Sequence, residues 1–380
     1  MKAMDRLSFH LNGRLEDLKR AKAKGRKIIG YPGGGYFPEE LVLAAGAVPV
    51  GLIRGGEHRA VELSSAYVTR WIDTFCRAQI GYGISGEDPW YEILDLLVIP
   101  ITDNNVRAMS DVLAYHTDMA IFPFGVPHTK EESSYRYYRH GVTRIKEKLE
   151  SVTGVQITED RLKDAIRLCN RERALFKEIS LMRKANPPPI SAKQFVALNH
   201  ASFFADKEIM VEILETVQAE IKEGNPPYPP GAPRILLTGS TLAMGDEKVL
   251  DLIEKAGGVV VMEDFFEGIR PYWESVRVDG DPIEAISECY FLRRVPPAWF
   301  RPGTERLDFL IHLARDYQVA GVIWYLLMYR ESYKIESYYF PNLLRKETGL
   351  SMMTIESDYD PSEIEAMRTR IETYIETIKV

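Results

Sequence analysis

The chain predicts an α/β fold with two open parallel sheets, because two of its stretches are built to one plan. The first runs Lys27-Ile28-Ile29-Gly30-Tyr31-Pro32, then Gly33-Gly34-Gly35-Tyr36-Phe37-Pro38-Glu39-Glu40, a helical run ending Ala44-Ala45-Gly46, and Val48-Pro49-Val50-Gly51-Leu52. The second runs Arg234-Ile235-Leu236-Leu237-Thr238-Gly239-Ser240, a helical segment to Ala256-Gly257-Gly258, and Val259-Val260-Val261-Met262-Glu263-Asp264. Each reads as a basic residue, an apolar strand, a glycine-containing loop, a helix closed by Ala-Gly, and a second apolar strand. Apolar runs without polar alternation belong to strands covered on both faces, as in parallel β-α-β units. Two such starts imply two sheets, each with a loop at its carboxyl edge, where open α/β sheets bind ligands.

The other elements follow in order. Glu92 to Pro100 reads as a buried strand leading into the loop Ile101-Thr102-Asp103-Asn104-Asn105 and a helix from Val106, and Ala120 to Phe124 as one more strand. From Ser134 to Ala185 the pattern is helical and highly charged. Thr158 is a helix cap with Glu159 and Asp160 in the first turn, and Leu162, Ile166 and Cys169 share one face of the helix that follows. Asn186-Pro187-Pro188-Pro189 must end that helix, since proline removes a donor and disfavours helix in the residue before it. Asn225 to Gly231 is a proline-rich linker. Gly321 to Leu327 is a buried strand, and an amphipathic helix from Pro361 to Lys379 presents Ile364, Met367, Ile371, Tyr374 and Ile378 for docking on the sheet. The expected division is an N-terminal α/β domain over 1–135, a helical segment and linker over 136–228, and a C-terminal α/β domain over 229–380.

A length of 380 residues supports two domains. With 45% hydrophobic and 27% charged residues the composition is that of an ordinary globular protein. No apolar run reaches the roughly 18 residues of a membrane span. The start Met1-Lys2-Ala3-Met4-Asp5-Arg6 lacks a signal-peptide core, so a cytoplasmic location is expected. The net charge of −7 argues against a nucleic-acid surface. Cys76, Cys169 and Cys289 are too few and too scattered for a disulfide framework, and three thiols cannot supply the four an iron–sulfur cluster takes. The seven histidines form no H-x-x-H or H-E-x-x-H pair.

Tyr36-Phe37-Pro38-Glu39-Glu40 followed by Ala44-Ala45-Gly46-Ala47-Val48-Pro49 resembles the opening signature of the 2-hydroxyacyl-CoA dehydratase family, which also holds the benzoyl-CoA reductase catalytic subunits and a double-cubane-cluster reductase. Asn170-Arg171-Glu172-Arg173, Asn186-Pro187-Pro188, Leu237-Thr238-Gly239-Ser240, Tyr317 to Val322, Ile355 to Tyr359 and Thr369 to Glu372 agree with it, in the same order over nearly the whole chain. The resemblance implies two flavodoxin-like domains per subunit, a homologous partner subunit, and [4Fe–4S] clusters between the domains. It also implies an ATP-hydrolysing activator that delivers a low-potential electron. With an acyl-CoA substrate, one-electron reduction of the thioester gives a ketyl radical, from which a 2-hydroxyacyl-CoA loses water; the reductases use the same injection on an aromatic ring.

Against that family's cysteine-bearing loops, Cys76 in Thr74-Phe75-Cys76-Arg77-Ala78 stands where the first cluster ligand is expected. Asp103 or Asn104 stands where the family has cysteine, Arg330 where it has Phe-Cys-Asp, and Asp264-Phe265-Phe266-Glu267 carries phenylalanine where many relatives have another cysteine. Cys76 and Asp103 are therefore the candidate metal ligands, with most of the cluster expected in the partner. The other reading of Cys76 is a buried small hydrophobe, the usual fate of a free thiol. Glu39 and Glu40 are the candidate acid–base pair, though carboxylates in a helix's first turn favour its dipole whatever their function. Gly34, Gly35 and Tyr36 could bind an anion through backbone N–H groups, or form a tight turn. Gly239 and Ser240 point toward the presumed interdomain cleft, with a helix cap as the other reading of the hydroxyl. Arg330 either neutralises a CoA phosphate or substrate carboxylate, or marks a subunit that has lost redox function, since guanidinium cannot ligate iron. Tyr325, Tyr329, Tyr333, Tyr338 and Tyr339 form a binding surface or pack at a dimer interface.

Overall fold

The protein is described as a computed structural model covering residues 2–379. Two four-stranded, all-parallel sheets carry it. The first holds β1 (Ile28–Pro32), β2 (Val48–Leu52), β3 (Leu96–Ile101) and β4 (Ile121–Gly125) in the order β2-β1-β3-β4. The second holds β5 (Arg234–Gly239), β6 (Val259–Asp264), β7 (Gly321–Leu327) and β8 (Met352–Ser357) in the order β6-β5-β7-β8. The two orders are the same when each sheet is counted from its own first strand, so the repeated sequence plan extends to topology, consistent with two flavodoxin-like domains. Every residue of β1, β2, β5, β6 and β7 is buried, which is why those strands read as uninterrupted apolar runs. The edge strands β4 and β8 are only partly covered.

Helices Glu132–Thr153, Glu159–Met182, Ala192–Ser202 and Lys207–Glu223 lie between the sheets in sequence. Thr158 caps the second of them, its hydroxyl accepting from the Arg161 N–H, and Leu162, Ile166 and Cys169 are buried along it as their spacing requires. That helix stops at Met182, ahead of the proline run. Its terminal carbonyls then find an unusual partner: the Arg234 guanidinium at the start of β5 donates to the carbonyls of Arg183, Lys184 and Ala185, and to that of Tyr317. Arg183 itself is fully buried and donates to Glu263 of β6 at 2.6 Å and to the Val260 carbonyl. Among the elements not marked by the sequence are the N-terminal helix Ala3–Ala23, helices Thr74–Ser85, Thr304–Asp316 and Glu331–Thr348, and strand β8.

Gly239 ends β5 with φ of 148°, and a Cβ there would lie 1.7 Å from the Tyr325 carbonyl oxygen of β7. The glycine is therefore a requirement of strand spacing. The last helix, Ile364–Ile378, buries Met367, Ile371 and Ile375, with Ile375 taking the place expected of Ile378. It packs on helix Lys248–Lys255, while the Tyr374 hydroxyl accepts from the Val322 N–H and donates to the Ser351 carbonyl at the amino edge of the second sheet.

The carboxyl edges of the two sheets face each other. The segment after β2 joins the segment after β5 through paired backbone bonds, Gly55 N–H to the Met244 carbonyl and Met244 N–H to the Ile53 carbonyl, both 2.9 Å. Removing one partner of a fully buried ion pair strands the other charge at a cost of about 3–5 kcal/mol. Arg183→Ala should therefore lower unfolding stability by that amount in chemical denaturation. The double change Arg183→Met/Glu263→Leu should cost much less.

Candidate functional site between the facing sheet edges

Three of the loops singled out by sequence converge on one point. Helix Thr74–Ser85 begins at Asp73, whose Oδ1 accepts from the Cys76 N–H at 3.1 Å. Helix Asn104–His116 begins at Asp103, whose Oδ1 accepts from the N–H groups of Asn105 and Val106 at 2.9 and 3.1 Å. Both aspartates are thus helix caps that satisfy orphan donors of a first turn. From the other domain, Arg330 follows β7 and forks across them, Nη1 donating to Asp73 Oδ2 at 2.6 Å and Nη2 lying 2.7 Å from Asp103 Oδ2. The same Nη1 lies 3.8 Å from the Cys76 sulfur. Asp103 and Asp73 hold the Arg330 charge against burial, and its pKa rises well above the usual arginine value.

Beside this fork is a small cavity of about 30 Å³, lined by Cys76, Thr102, Thr241, Phe266, Glu267 and Arg330 among others. That is room for about two waters. Glu267 is buried and accepts from the Leu242 N–H. Burial pushes its carboxyl up to about 7, against the opposing pull of that N–H, its own backbone and two arginines.

The glycine loop lies between this cavity and a second of about 40 Å³. A Cβ on Gly33 would strike Ile53, and one on Gly34, at φ of 127°, would fall 1.8 Å from the Phe266 ring. Phe266 thus packs directly over the Gly34 Cα, where no side chain could stand. The Gly35 carbonyl accepts from Arg294, and the Tyr36 carbonyl accepts from the Tyr138 hydroxyl at 2.6 Å while its ring stacks on Phe300.

Around the second cavity the carboxylates are paired. Glu40 accepts from Arg173 at 2.7 Å and from the Tyr290 hydroxyl at 2.8 Å. Burial raises its pKa, but Arg173, the backbone and Tyr290 together hold the carboxyl below its ordinary range. Glu39 accepts from the Tyr31 hydroxyl and lies 2.6 Å from Lys207, which also bonds Glu172 at 2.8 Å. Both candidate acid–base residues are thus held in ion pairs, away from the Arg330 fork. Ser240 is neither a helix cap nor open to the cleft: its hydroxyl accepts the Leu327 N–H of β7 at 3.0 Å and it is 1% exposed.

Sequence reading missed Asp73 and Glu267. The first carried a signal, aspartate ahead of an apolar helical run, which marks an N-cap. Glu267 carried none, because its burial is made jointly by both domains.

The resemblance implies an iron–sulfur cluster at this point, and the residues present do not fit one. Cluster ligands are thiolates. Here the single nearby thiol, Cys76, is pushed well above its usual pKa by burial and by Asp73, with Arg330 only partly opposing. Both carboxylates already cap helices and pair with Arg330. Among the described residues no three His, Cys, Asp or Glu side chains are grouped to hold a metal ion.

A carboxyl raised from 4.5 to about 7 by folding binds a proton the unfolded chain has released. Its contribution is fully present below pH 4.5 and is lost as pH rises through 7. Glu267→Gln, which stays neutral, should therefore gain stability relative to the parent between pH 5 and pH 8, by up to about 3 kcal/mol. Parallel urea titrations at several pH values measure that difference, and a pH-independent difference would contradict it.

Comparison with known proteins places these loops in context. The family model described as 2-hydroxyglutaryl-CoA dehydratase, D-component, matches residues 35–378. YjiM of Escherichia coli (strain K12), provisionally named a dehydratase subunit, is 28% identical over 90% of this chain and 89% of its own length. The (R)-phenyllactyl-CoA dehydratase beta subunit of Clostridium sporogenes is 24% identical over 95% and 94%. A benzoyl-CoA reductase subunit of Thauera aromatica is 23% identical over 79% and 77%. With the family match running from residue 35 to 378, through Cys76, Asp103 and Arg330, the chain belongs to the 2-hydroxyglutaryl-CoA dehydratase D-component family.

Proposed function

We propose that this chain is one subunit of a CoA-thioester dehydratase or reductase, of the 2-hydroxyacyl-CoA dehydratase and benzoyl-CoA reductase type. It works with a homologous partner subunit that holds most of the iron–sulfur chemistry and an ATP-hydrolysing activator that supplies the electron. The relatives' names support the reaction class, since they are subunits of enzymes acting on CoA thioesters. The observation that carries the division of labour is the convergence of Cys76, Asp103 and Arg330 at one point between the sheets. Loops that bear ligand cysteines in relatives meet here, and one thiol remains among them.

A second reading, a non-catalytic scaffold subunit that keeps the fold and the subunit interface, draws on the same Arg330 fork and on the ion pairs that hold Glu39 and Glu40. Reconstitution separates the two. The chain is purified anaerobically with its homologous partner, supplied with activator, ATP and a panel of 2-hydroxyacyl-CoA and aromatic acyl-CoA substrates, and turnover is compared with that of the partner alone. Turnover that needs this chain, with acyl-CoA binding to the pair, is the expected result. A pair that assembles but neither binds acyl-CoA nor turns it over would leave the scaffold reading.

A further inference from the structure

We infer that Arg330 is the permanent cation of the interdomain site, fixing the two sheets against each other, and that this chain takes up no iron–sulfur cluster of its own. The inference goes beyond the proposed function and holds whichever acyl-CoA the complex uses. Its first support is occupancy. The guanidinium lies within bonding distance of Asp73 and Asp103 and 3.8 Å from the Cys76 sulfur, so it fills the point on which those three side chains converge. What remains beside it is a space of about 30 Å³, enough for about two waters and far too small for a cubane of four irons and four sulfides.

The second support is what would be lost if the ligands were drawn away. Asp73 and Asp103 hold the first turns of two helices through the N–H groups of Cys76, Asn105 and Val106. Their second oxygens are already taken by Arg330, so a metal there would have to displace the guanidinium and leave it buried without its partners. The guanidinium does not deprotonate, so it cannot become a ligand and would repel iron instead.

The third support is independent of the charges. Tyr329 adopts φ of 65°, a left-handed conformation that L side chains rarely take, and its carbonyl accepts from the Asn105 amide of the opposite domain at 3.2 Å. The turn after β7 is thus held in a strained form by a contact with the very helix whose cap Arg330 binds. Trp299 closes the other side, with the guanidinium 5.9 Å from its ring.

Two measurements test this on the whole chain. Anaerobically purified protein, incubated with iron and sulfide and desalted, should carry no more iron than a Cys76→Ser control. Stoichiometric iron that disappears in Cys76→Ser would overturn the inference. Hydrogen exchange then reads the fixing of the sheets. Arg330→Met should accelerate exchange at the Cys76, Asn105 and Val106 amides by about tenfold or more, since local opening governs their protection. Arg330→Lys, a point charge that reaches one carboxylate at a time, should fall between Met and parent and serves as the probe if the Met variant does not fold. Unchanged exchange in the folded variants would remove the fixing role. An active complex with iron in this chain would keep the proposed function and overturn this inference, whereas an iron-free chain in an inactive complex would do the reverse.

Discussion

Two helix caps and one arginine hold the halves of this protein together, and the charges there nearly balance. Asp73 and Asp103 bring two negative charges, Arg330 one positive. Each capped helix contributes about half a positive charge at its N-terminus. Helices Thr74–Ser85 and Asn104–His116 therefore supply about one unit between them, and the buried group approaches neutrality. A buried charge without such compensation would be costly. Cap formation and domain closure become one event: the orientation that lets each carboxylate cap its helix also aims its second oxygen at Arg330.

The helical segment is the other tie, and it explains a run of sequence that composition alone leaves opaque. In helix Glu159–Met182, Asn170 accepts the Val276 N–H and donates to the Val276 carbonyl, Glu172 holds Lys207, and Arg173 reaches Glu40 and Tyr290. Further along, Arg183 holds Glu263. One helix thus contacts the first sheet's helix 39–44 on one side and the second domain on the other. Charged residues on a helix usually face water; Glu172, Arg173 and Arg183 face inward here because polar groups of both domains meet along that side.

Much of the fold was legible because parallel sheets write themselves plainly. The strands β1, β2, β3, β5, β6 and β7 are apolar runs, and Thr158 and the proline run bound their helix through local chemistry. Strand β8 was not legible: most of its residues are only partly buried, and its polar Thr354, Glu356 and Ser357 weaken the apolar signal. The site was legible in part. Comparison of loops pointed to Cys76, Asp103 and Arg330, which do meet. Their roles were not legible, since whether Asp103 is a free ligand or a cap paired to arginine depends on where the other domain's loop falls. The ion pairing of Glu39 and Glu40 likewise rests on Lys207 and Arg173, which are distant in sequence.

The duplicated topology adds a constraint on what can stand at this point. Asp103 follows β3 and Arg330 follows β7, and these strands occupy equivalent places in the two sheets. A shared metal tolerates like residues on equivalent facing loops, since two thiolates can bind one ion. An ion pair demands the opposite, because two aspartates or two arginines at equivalent positions would repel in a buried setting. Once Arg330 stands on one side, a carboxylate on the other follows from electrostatics, and the two halves must differ there. The repeat keeps its topology in both halves and differs at this point, as a direct ion pair between equivalent loops requires.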